Sequence, residues 1–87
     1  MIRVLTRPLR HFVKLTKVSL HQIGTLEAGK EIEVGRELKQ RMRCDYIWKG
    51  LRKMVRVKVG AQSSYVLRSE VLQFSMKPPV TPKHLVN

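Results

Sequence analysis

The stretch Met54–Val59, MVRVKV, constrains the fold of this chain more than any other. Val55, Val57 and Val59 alternate with Arg56 and Lys58, so an extended strand here has an apolar face and a cationic face. Gly60 ends it, and Ala61-Gln62-Ser63-Ser64 supplies a connection. Residues 65–74 (YVLRSEVLQF) read two ways. Leu67, Val71 and Phe74 suit a helix after a Ser64 cap, whereas the β-branched content suits a hairpin partner for Met54–Val59, and the strand is preferred.

Elsewhere the signals are mixed. Residues 12–23 (FVKLTKVSLHQI) are rich in β-branched and apolar side chains and run into Gly24, so their latter part reads as a first strand. After a turn at Ala28-Gly29-Lys30, Ile32 and Val34 alternate with Glu31 and Glu33, the pattern of a short edge strand. Residues 36–50 (RELKQRMRCDYIWKG) open with strong helix formers and place Leu38, Met42 and Tyr46 at i, i+4 and i+8, which predicts a helix ending near Lys49. Pro78, Pro79 and Pro82 enforce an extended, polyproline-like tail. The expected fold is therefore α+β: a single small domain over residues 18–75, with a short antiparallel sheet and one helix, flanked by extended basic N- and C-terminal arms at 1–17 and 76–87.

The N-terminal arm carries Arg3, Arg7, Arg10, Lys14 and Lys17 spaced 4, 3, 4 and 3 apart, one stripe of a helix, with Ile2, Leu5, Leu9 and Phe12 on a neighbouring stripe. An acid-free, Arg-containing amphipathic N-terminus is what mitochondrial import sequences look like. Pro8 confines such a helix to a start near Arg7 with Thr6 as its cap. The alternative is a basic arm unrelated to import.

Charge narrows the function. Eighteen Lys and Arg face six Asp and Glu, a net charge of +12 in 87 residues. All six acids (Glu27, Glu31, Glu33, Glu37, Asp45 and Glu70) lie in residues 27–70, and both ends are purely cationic. This excess costs self-repulsion that a polyanion relieves. No run approaches the roughly 18 consecutive apolar residues of a spanning helix, which excludes a transmembrane segment. One cysteine, Cys44, excludes an internal disulfide framework. His11, His21 and His84 are dispersed and form no ligand pair with it, so no metal or other cofactor is expected. No nucleophile sits beside a base, and no Gly-rich phosphate loop is present. The chain reads as non-enzymatic, with no catalytic residue and no small-molecule substrate.

The expected RNA-binding residues are the five N-terminal cations together with Arg36, Lys39, Arg41, Arg43, Lys49, Arg52, Lys53, Arg56 and Lys58. Tyr46 and Trp48 lie among them, a mixture that grips phosphates while aromatic planes stack on unpaired bases. Core packing is an equal reading for the two aromatics, which are among few large side chains here.

Taken together, an import-like N-terminus, a small basic domain and cationic ends resemble the mitochondrial ribosomal proteins as a class. Within it, residues 13–24 (VKLTKVSLHQIG) are similar to the first strand and following glycine of the large-subunit family numbered thirty, and Gly50-Leu51-Arg52-Lys53 looks like that family's step before its second strand. The resemblance implies a strand–helix–strand unit on ribosomal RNA. The expected function is a structural constituent of the mitochondrial ribosome, in the matrix, with ribosomal RNA and neighbouring ribosomal proteins as partners. The rival is a peripheral accessory subunit of a respiratory or ATP-synthase complex, with basic ends on anionic lipid. A free-standing regulatory RNA- or DNA-binding module is a third reading, for which no recognition motif is present.

Overall fold

A computed structural model describes residues 1–45 and 50–78. They form β1 (Ile2–Leu5), β2 (Leu9–Lys14), β3 (Ser19–Leu26), β4 (Glu31–Glu37), β5 (Arg43–Cys44), β6 (Met54–Val59), β7 (Gln62–Leu67), α1 (Arg68–Gln73) and β8 (Ser75–Met76). The eight strands make one sheet in the order β5-β3-β2-β7-β6-β4-β1-β8, curled into a half-barrel. Every pairing is antiparallel except β3 with β5.

This corrects the expected α+β fold with a short sheet and a basic N-terminal arm; the expected Pro-rich C-terminal tail lies, beyond Pro78, outside the described residues. Residues 2–14 are not a helical arm but two strands, with Leu5, Leu9 and Phe12 fully buried. Pro8, which cannot donate a backbone hydrogen bond, falls in the connection between them. The helix expected over 36–49 is absent from its described part: Arg36 and Glu37 end β4, and Arg43 and Cys44 form β5. A run that short cannot nucleate a stable helix alone, and the sheet offers its backbone partners that a free helix lacks. Met42 and Cys44, two apart, both turn into the core, a strand period that outweighs the i, i+4 spacing. The strand–helix–strand unit is accordingly not what these residues build. Glu31–Glu37 is no edge strand either, since β1 and β6 flank it. Residues 65–74 divide between the two alternatives, strand to Leu67 and helix from Arg68.

Adjacent residues of β6 face opposite cores. Val55 and Val57, with Val66 of β7, pack against Leu5, Leu9, Leu26, Ile32 and Val71. Met54, with Leu67, packs on the other face against Phe12, Leu20, Met42 and Cys44. Residues 38–44, between β4 and β6, supply Met42 and Cys44 to the second cluster and pack Leu38 against it. They are held by the β3–β5 pairing, the antiparallel bridge between Met42 and Arg52 and the Leu38 N–H to Met54 carbonyl bond. Each fully buried aliphatic side chain contributes on the order of 1.5–3 kcal/mol, so both faces stabilise the sheet. One polar pair lies buried on the Val55 side: His11 Nδ1 is 3.2 Å from Ser64 Oγ. Gly24 lies against that imidazole at φ of 153°, where a side chain is strained although its Cβ would make only an ordinary contact, 3.4 Å, with His11 Nε2.

Candidate nucleic-acid interface

Cross-strand partners share a face, and register therefore decides which cations converge. Phe12 of β2 stands opposite Tyr65 of β7, and Tyr65 opposite Arg56 of β6. Lys58 stands opposite Ser63 on the same face, and Lys14 Nζ lies 5.7 Å from the centre of the Tyr65 ring. The second cluster covers one part of this face, with Tyr65 packed at its margin, and leaves Lys14, Arg56 and Lys58 outside it. Arg56, Lys58 and Lys14 are exposed, and Tyr65 is half-buried against Phe12's cluster. A recess of about 190 Å³ lined by Glu33, Gly35, Arg56, Val57, Lys58 and Ser63 borders it. Gly35 opens the recess: a Cβ there would come within 3.3 Å of the Arg56 carbonyl. Glu33 stands opposite Lys58 and is the face's acidic boundary.

All six acids fall within the described residues, so charge pairing can be followed closely. Glu70 binds Arg10 at 2.7 Å, Glu37 lies 3.6 Å from Arg68, and Asp45 pairs with His21. Two of the eighteen Lys and Arg are thereby matched to a carboxylate among the described residues.

The expected RNA-binding residues separate into groups. Arg3 donates to Ser75 Oγ at 2.6 Å and to the Ser75 carbonyl, Arg10 is tied to Glu70, and Arg7 stacks 5.3 Å from the Phe74 ring centre. Arg3 ties β1 to β8, Arg10 ties β2 to α1, and Arg7 covers the end of α1 at Phe74. The helical stripe thus dissolves: Lys14 joins the sheet face, and Lys17 sits in the exposed β2–β3 turn. Arg56 and Lys58 share the face. Arg41, Arg52 and Lys53 gather at a separate cleft beside α1, while Arg36, Lys39 and Arg43 are exposed along the segment that crosses from β4 to β5. Lys49, Tyr46 and Trp48 lie outside the described residues.

Sequence reading missed Tyr65. The signal was present: with Gly60 and Ala61 as a two-residue turn, hairpin register sets Tyr65 opposite Arg56. An aromatic plane flanked by cations on an open sheet face can stack a base while its neighbours neutralise phosphates.

Titration adds little chemistry. Burial holds the His11 imidazole below its ordinary value, and burial, then Asp45, raises the Cys44 thiol. Cys44 is a buried packing residue 3.5 Å from Met54 Sδ and is poorly suited to act as a nucleophile. Among the described residues no three His, Cys, Asp or Glu are grouped for a metal, and no helix is long and apolar enough to cross a membrane.

No family model, curated protein or solved structure matches the chain.

Proposed function

We propose that the protein is an RNA-binding structural constituent of a ribosome, that of the mitochondrion, and that the face of Lys14, Tyr65, Arg56 and Lys58 is where it meets ribosomal RNA. The observation that carries this reading is the surplus of cations once every acid has been placed. Surface charge this one-sided is far more than solubility needs, and a rigid sheet presents it at fixed spacing. An anionic backbone releases its counterions on contact, and the half-buried Tyr65 ring offers an unpaired base a surface to stack on. The mitochondrial part of the reading rests on composition alone, the acid-free, Arg-containing first 17 residues, since residues 2–14 form strands and not an amphipathic helix. Such an address would be retained, because Leu5, Leu9 and Phe12 are core residues.

Co-sedimentation tests the proposal. The protein should travel with fast-sedimenting particles of a mitochondrial extract and be released by nuclease. Persistence in detergent-resolved membrane complexes after nuclease treatment would instead select the peripheral-subunit rival.

A further inference from the structure

A second surface, away from the sheet face, has a different chemistry. A cleft of about 490 Å³ lies between α1 and the segment before β6, and its lining includes Arg41, Arg52, Lys53, Arg68, Leu51 and Leu72. Three backbone hydrogen bonds assemble it. Met42 and Arg52 exchange N–H to carbonyl bonds of 2.8 and 2.7 Å, and the Arg68 N–H donates to the Lys53 carbonyl at 3.1 Å. The first two, antiparallel, set Arg41 across from Lys53 next to the Met42–Arg52 bridge, and the third brings the start of α1 against Lys53.

Among the described residues no carboxylate lines the cleft. Glu37 reaches only Arg68, at 3.6 Å, in a pair whose side chains are both well exposed and which is therefore weak. Leu51 and Leu72 are 52% and 53% exposed, although both border a cationic cleft where polar cover would be expected. A nucleic-acid backbone would satisfy the cations and leave these leucines in water. A protein segment carrying both carboxylates and aliphatic side chains would satisfy both.

We propose that this cleft docks an acidic, leucine-bearing segment of a partner protein, its carboxylates on Arg41, Arg52 and Lys53 and its aliphatic side chains on Leu51 and Leu72. The site is independent of the RNA-binding reading. Charge complementarity sets the encounter rate and register, and burial of the leucines supplies affinity.

The test uses the full chain and a fluorescein-labelled peptide of glutamate and leucine, with a counterpart in which serine replaces every leucine. The leucine peptide should bind at least about tenfold more tightly than the serine peptide, the ratio expected from burying one aliphatic side chain. Leu51→Ser and Leu72→Ser, both at exposed positions, should each erase much of that ratio. Arg52→Glu should weaken both peptides, while Arg56→Ala with Lys58→Ala should leave the ratio intact and so separates this site from the sheet face. Equal binding of the two peptides would overturn the proposal, as would unchanged binding by both leucine variants. Displacement of the peptide by a single-stranded RNA, lost in Arg52→Glu but kept in Arg56→Ala with Lys58→Ala, would assign the cleft to nucleic acid and equally overturn it.

Discussion

Removing Arg56 and Lys58 together is the sharpest perturbation of the sheet face. Both are exposed at positions whose neighbours Val55 and Val57 carry the packing, so Arg56→Ala with Lys58→Ala should leave the fold intact. Neither has a carboxylate within ion-pairing distance among the described residues, so each is free to neutralise one phosphate. For single-stranded RNA each neutralised phosphate contributes about 0.7 to the slope of log affinity against log salt, so the double variant should lose about 1.4 from that slope. Over a fourfold rise in salt the wild type should then lose about sevenfold more affinity than the variant. Fluorescence anisotropy with a labelled oligonucleotide across a salt series reads this directly, and Arg56→Lys with Lys58→Arg serves as the charge-conserving control. Tyr65→Leu gives the complementary signature, because leucine keeps apolar cover over Phe12 but cannot stack. It should weaken binding by about 5- to 150-fold, the worth of one base stack, with the salt slope unchanged. A slope that stays at its wild-type value in the double variant would refute the placement of RNA on this face.

Other expectations concern the scaffold. Phe12→Ala empties a fully buried site in the second cluster and should cost about 3–5 kcal/mol by urea denaturation. Gly60 holds φ of 58° in the β6–β7 turn, so Gly60→Val should cost about 1–2 kcal/mol and Gly60→Asn distinctly less in the same assay. His11 has a lowered folded-state value, so between that value and 6.5 the unfolded chain binds the extra proton. Stability is then full above 6.5 and falls as pH drops toward the folded value, a loss that should shrink in His11→Gln when melting is followed against pH. Cys44 should resist alkylation in the native protein and react on unfolding, as a thiol-reagent time course with and without urea will report.

Local sequence by itself determined the element that organises the molecule. Met54–Val59 alternates so cleanly that strand, apolar face and cationic face follow from period-two geometry, and Gly60 marks its end. The sequence also determined the charge surplus and its distribution, since these are sums over residues. Tertiary structure decided the rest. Ile2–Leu5 and Leu9–Lys14 carry a helical rhythm, and so does the run from Leu38 to Met42, yet spacings of three and four on short segments cannot say which backbone partners are available. Pairing with β4, β3 and β7 supplies those partners from far along the chain. The same long-range pairing selected which cations brace the fold and which remain open. Arg10 meets Glu70 and Arg3 meets Ser75, sixty and seventy-two residues away, while Arg56 meets Tyr65 across a hairpin. Periodicity describes one element's faces; only the closing of the sheet fixes what each face confronts.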